Sequence, residues 1–330
     1  MNILYILGNG FDKAMGMATS YPEFYRYLIE NVNEGSQLLE RMKQSIKEDK
    51  RLWSDMEIAL GEFTAITDNV DEFYEFYYEL SELLQKYLKI ENNKFTPTEQ
   101  QKNKFQSDFI NVGKYLGQLD KVRFNDLISK NSIITKDINV ITLNYTDTLE
   151  NILSISPYNT RKELNNNIIL RNVIHVHGRL GDSIIIGVDN ETQIKNETLR
   201  NNDDVKEIMV KIESNVSMKE TRQIECEKLI KEANVIVLFG VSLGETDSMW
   251  WRLIGKNLVE RKNLIIIKHI YNPGVITLTQ RQRIGKVERE EREYMLQRME
   301  INKENQISNI KERLFFTINE PVFTVHPSLR

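Results

Sequence analysis

Apolar positions along the chain follow two periods. Short β-rich runs recur at Ile3–Leu7, Ile138–Leu143, Asn172–His177, Ile184–Val188, Val235–Gly240, Leu264–His269 and Phe315–Val325. Several are continuously apolar rather than alternating, as strands are when helices cover both faces of a parallel sheet. This predicts an α/β fold, Rossmann-like, around a mostly parallel sheet.

Between the first two runs the period changes to that of a helix. Trp53, Met56, Leu60 and Phe63 make one stripe; Phe73, Phe76, Leu80, Leu83 and Tyr87 make a second. Phe105, Phe109, Val112, Leu116 and Leu119 make a third. At 3.6 residues per turn, each stripe places its side chains on one helix face. Residues 23–130 therefore read as a large helical insertion of three or four helices, interrupted at Lys94–Glu99 by Thr96-Pro97-Thr98. The sheet core is assigned to residues 1–22 and 131–330, with a second helix-biased stretch at Thr192–Lys231. Gln280–Arg298 mixes basic and acidic residues densely, which favours a solvated helix with i,i+4 pairs over a nucleic-acid arm.

Composition narrows the class. The 330 residues, 40% hydrophobic and 28% charged, give a soluble globular profile that suits two domains or one enlarged one. The net charge of −4 supplies no global positive field for a polyanion, so nucleic acid is not an expected partner. A single cysteine, Cys226, excludes an intrachain disulfide and a multi-cysteine zinc site, and a reducing cytoplasm is the default compartment. Met1–Leu7 is apolar but lacks a basic leader, so no signal peptide is expected. No apolar run approaches the ~20 residues of a membrane helix.

Four motifs stand at strand ends, where open α/β sheets bind their ligands. Gly8-Asn9-Gly10-Phe11-Asp12 follows the first strand, in position either to bring backbone amides to a pyrophosphate or to make a tight turn; Lys13 replaces the third glycine of the dinucleotide fingerprint. Asn144 follows the second strand as a candidate reacting group. Asp147 next to it reads as a helix cap, with Glu150 completing a capping box. His175 and His177 share one strand face, so either one is partnered in the core or the pair faces a pocket; no third ligand nearby suggests a metal. Gly240-Val241-Ser242 leads to Asp247, either a ribose- or phosphate-holding loop or a plain N-cap. Glu57 lies at the edge of an apolar stripe, reaching a pocket or forming a rim salt bridge.

The ordered set of motifs resembles the AbiH family of bacterial phage abortive-infection proteins. The resemblance rests on Ile6–Asp12, Thr19–Phe24, Trp53–Glu57, Leu143–Glu150, His175–Asp182 and Phe239–Asp247. At greater distance the same order resembles sirtuin-like NAD-binding domains. That likeness implies that Asn144 positions water or the nicotinamide ribose and that His177 acts as base or holds ribose hydroxyls. It also implies a cofactor-binding set of Gly8, Asn9, Gly10, Asp12, Asp147, Gly240, Ser242 and Asp247, with Glu57 reaching in. The zinc-ribbon cysteines of sirtuin deacylases cannot be present, which disfavours deacetylation. Thr146 stands where sirtuins carry an Asp.

These resemblances imply a cytoplasmic anti-phage effector that binds NAD as substrate and hydrolyses the nicotinamide–ribose bond without a metal. A phage-derived trigger, homo-oligomerisation and no membrane contact complete the expectation. The alternative is a non-catalytic nucleotide-sensing module that signals through its helical insertion.

Overall fold

The computed structural model describes residues 1–129, 135–274, 283–302 and 304–324. Seven strands form one sheet: β1 (Asn2–Leu7), β2 (Lys136–Thr142), β3 (Lys162–Asn165), β4 (Ile168–His175), β5 (Val235–Phe239), β6 (Ile265–Ile270) and β7 (Leu314–Ile318), in the order β3-β4-β2-β1-β5-β6-β7. All neighbouring pairs are parallel except β3–β4. Leaving β3 aside, the parallel strands follow the doubly wound order 3-2-1-4-5-6. The direction of winding reverses between β1 and β5, and there a crevice opens at the carboxyl ends of the strands.

The apolar runs form strands because both faces are covered. Along β1, Ile3, Tyr5 and Leu7 enter one hydrophobic cluster while Leu4 and Ile6 enter another on the opposite face. On the first face lie helices Glu99–Phe109, Gln118–Ser129 and Thr148–Leu153; the second carries Arg222–Glu232, Ser248–Glu260 and Ile284–Arg298. A third cluster joins the helices Tyr21–Asn31, Gln37–Glu48, Met56–Phe63 and Val70–Lys94 to the segment between Leu180 and Val210. The stretch 23–130 thus feeds two different cores. Among the described residues, no helix is long and apolar enough to cross a membrane.

Several expectations need correction. The insertion holds six helices among the described residues, beginning with Tyr21–Asn31 and ending with Gln118–Ser129, rather than three or four. Trp53 does not share a helix with Met56, Leu60 and Phe63: Asp55 accepts from the amides of Glu57 and Ile58 and starts a new helix there. All four side chains are nevertheless buried. Leu119 is 82% exposed, outside the stripe assigned to it. Ile184–Val188 is buried but is not a strand, since its backbone bonds go to scattered partners: Ile185 N to His177 O at 2.8 Å and Val188 N to Met209 O at 2.7 Å. The run at Phe315 ends as a strand at Ile318, and Phe323 folds back onto Phe11, Phe105 and Phe239. Val325 and residues 280–282 lie outside the described residues.

Candidate functional site

The carboxyl ends of β1, β2, β4 and β5 meet at one pocket. Its wall includes Asn9, Asp12, Asn144, His177, Ser242 and Asp247, with Glu57 arriving from the helix Met56–Phe63. The cavity, about 170 Å³, is on the order of ten times the space that one water needs, so it is sized for a ligand. A smaller cavity of about 10 Å³, roughly one water, lies on the far side of His177 against Lys211 and Asn215.

Gly8, Gly10 and Gly240 stand behind this wall rather than in it. The amides of Gly8 and Gly10 donate to Phe239 O and Gly240 O, each at 3.0 Å. A Cβ on Gly240, where φ is +68°, would meet Phe11 N at 2.5 Å, and one on Gly10 would meet Gly240 Cα at 2.5 Å. The three glycines let two strand-end loops interlock backbone to backbone. Their first effect is to fix the floor on which Asn9, Asp12 and Ser242 stand.

Asn144 is oriented by its own donors. Its Nδ2 donates to Gly8 O at 3.1 Å and to Asp12 Oδ1 at 3.2 Å. Both amide protons are engaged, so the atom it can offer a ligand is the acceptor Oδ1. Asp12 is 1% exposed and also accepts from Thr146 Oγ1 at 2.6 Å; burial raises its pKa against those hydrogen bonds. Thr146, the departure from the sirtuin pattern, thus serves Asp12. Behind Asn144, His175 donates from Nδ1 to Asn144 O at 2.8 Å, and its Nε2 lies 2.9 Å from Glu150 Oε1. Burial works to lower the His175 pKa, but the hydrogen bond and charge of Glu150 outweigh it and the net shift is upward. His175 is therefore the partnered core histidine, and His177 alone reaches the pocket.

The other side of the pocket is built on a buried lysine. Lys211, 5% exposed, donates to Glu57 Oε2 at 2.8 Å, Asp247 Oδ1 at 2.9 Å and Thr246 O at 3.0 Å. Burial works against its charge, yet Asp247 and Glu57 push its pKa above the usual lysine range. For Asp247, burial works upward but is outweighed by Lys211, whose charge holds its pKa far below the usual carboxylate range. For Glu57, burial outweighs the help from Lys211, so its pKa is raised. Of two carboxylates sharing one ammonium, Asp247 is the firmly ionised one and Glu57 the one nearer to taking a proton. The His177 Nε2 lies 2.9 Å from Asp247 Oδ1, but off line, so that neither ring nitrogen has an aligned hydrogen-bond partner among the described residues.

Two of the purely structural readings are thereby excluded. Asp247 opens the helix Ser248–Glu260 but makes no side-chain cap, and Glu57 is a buried partner rather than a rim ion pair. The capping box expected of Asp147 and Glu150 is absent: Asp147 makes no side-chain cap and takes Arg179 at 2.9 Å, while Glu150 goes to His175. Asp147 is not in the pocket wall. Asp147, Glu150 and His175 do bring one potential ligand atom each within 4.8 Å of one another, but all three are engaged in these protein pairs. Sequence reasoning missed Lys211, buried within a stretch that reads as polar, and Asp189, whose only signal is an acid placed directly after the apolar run Ile184–Val188.

The doubly wound sheet, with a pocket of convergent polar groups at its switch point, defines a Rossmann-like α/β protein. Residues 4–269 match the AbiH family, described as bacteriophage abortive infection, and the chain belongs to that family. Its role is accordingly in abortive infection. No curated protein sequence matches it.

Proposed function

We propose that the pocket binds NAD and hydrolyses its nicotinamide–ribose bond, removing NAD from the infected cell. The observation that carries this reading is the meeting of Asn144, His177 and Asp247 in one wall at the β1/β5 switch point. Cleavage builds positive charge on the ribose, as in glycoside hydrolysis, so ionised Asp247 and neighbouring Glu57 favour the transition state over the ground state. Asn144 Oδ1 orients a water on the open face of the sugar. As the water oxygen bonds to the ribose C1′, the C1′–N bond breaks with its electron pair passing to the nicotinamide ring. The water's proton goes to His177, whose ring nitrogens have no aligned hydrogen-bond partner among the described residues. The products are nicotinamide, ADP-ribose and one proton. Ser242 and Asn9 sit at the mouth, in reach of the rest of the dinucleotide.

Purified protein incubated with NAD, alone and with an extract of phage-infected cells, is expected to release free nicotinamide in at least one condition. NAD left intact in both, with infection verified, sinks the reading. A second reading has its own support, because Glu57 connects the helical insertion to Lys211 and Asp247: the pocket would sense a nucleotide and signal through those helices. A rise in melting temperature with NAD or ADP-ribose, with no turnover, would favour it.

A further inference from the structure

Lys211 is a buried cation with all three ammonium protons engaged, yet it does not line the larger pocket. Its three ammonium protons meet three acceptors from two segments: Glu57 on the helix Met56–Phe63, and Thr246 O and Asp247 in the loop after β5. Lys211 itself opens the helix Lys211–Ser217, whose start is tied to the segment after β4 by Lys211 N donating to Val188 O at 3.0 Å. Without it, two buried carboxylates would face each other around an empty centre, and Asp247 would lose the contact that fixes it beside His177.

On the reading that this pocket hydrolyses NAD, we propose that Lys211 is a positioning residue: it touches no substrate but fixes the Asp247 and Glu57 carboxylates where charge develops on the ribose. An ammonium suits the task. Its three donors satisfy three acceptors, and its charge permits a buried carboxylate to stay ionised. Positioned charge acts on the transition state, so its loss lowers kcat while leaving substrate affinity nearly intact.

The test compares Lys211→Met, Glu57→Gln and the double variant, with nicotinamide release giving kcat and KM and calorimetric titration giving NAD affinity. Lys211→Met leaves two buried carboxylates without their shared cation, so the double variant, which removes one of those carboxylates together with the lysine, guards against a folding failure. Relative to Glu57→Gln, it should lose at least about 30-fold in kcat with KM and NAD affinity changed by less than about threefold. Equal kcat in the two, or a loss carried by KM alone, overturns the proposal. If the wild type releases no nicotinamide, the hydrolysis reading fails by itself. The positioning role is then decided by thermal unfolding of Lys211→Met, Asp247→Asn and their combination: non-additive shifts sustain it, additive shifts overturn it.

Discussion

Asp189, 58 residues before Asp247 in the chain, caps the helix that Asp247 opens. Its carboxylate accepts from Met249 N at 2.8 Å, Ser248 Oγ at 2.6 Å and Arg252 at 3.0 Å. One first-turn amide of Ser248–Glu260, that of Met249, is thus satisfied from outside, and the Asp247 carboxylate is left for Lys211 and His177. Replacing Asp189 by Ala removes a buried cap and should cost about 1–3 kcal/mol in urea unfolding. It should also draw Asp247 toward the vacant helix end and lower nicotinamide release. Unchanged stability would show that the donors find other acceptors.

Loop interlock predicts an order among glycine substitutions. Gly240→Ala meets both a left-handed φ and backbone at 2.5 Å, whereas Gly16→Ala, at φ +89°, meets open space. The first should cost more than the ~1–3 kcal/mol of conformational strain that the second carries. Melting temperatures of the two variants measure the difference, and equal losses would contradict the interlock.

Asn144 holds its place as a donor, which separates its two simplest replacements. Asn144→Ala should cost about 1–2 kcal/mol and reduce turnover on the order of 10²-fold. Asn144→Asp sets a carboxylate against Asp12 and Gly8 O, and should unfold at lower temperature than the alanine variant at neutral pH. Acid should narrow that gap as the new carboxyl takes up a proton. A gap that does not respond to pH would mean that the side chain has moved away from Asp12.

The His175–Glu150 pair gives stability a defined pH window. For Glu150, burial works upward but is outweighed by His175, so its pKa falls below the ordinary 4.5, while that of His175 rises above the ordinary 6.5. The Glu150 share is present above pH 4.5 and is lost as pH falls through its lowered folded value. The His175 share is complete below pH 6.5 and is lost as pH rises through its raised folded value. Denaturant midpoints of the wild type and Glu150→Gln should therefore differ most between pH 4.5 and 6.5, the difference shrinking in more alkaline buffer. A constant difference would place the loss in packing rather than in charge.

What was legible in the chain follows from what each residue contacts. β1, β2, β5 and β6 announce themselves because helices cover both faces and the runs become wholly apolar. β3, Lys162–Asn165, is a polar edge strand paired on one side and carries no such signal. The four strand-end motifs were visible since each couples a strand to a Gly, Asn or His at its end. Lys211 was not: local sequence gives it polar company, and only tertiary contact with Glu57, 154 residues earlier, makes it a buried cation. Asp147 misled for the opposite reason. Its place before a helix suggests a cap, but its carboxylate takes the Arg179 guanidinium and accepts from no amide of that helix.

The NAD content of phage-infected cells tests the central claim most directly, measured in cells carrying the wild type, Asn144→Ala or His177→Ala at matched expression. NAD is expected to collapse after infection in cells with the wild type, together with protection of the culture, and neither is expected with the two variants. Protection by the wild type with NAD undiminished, or NAD loss identical in all three, would contradict it.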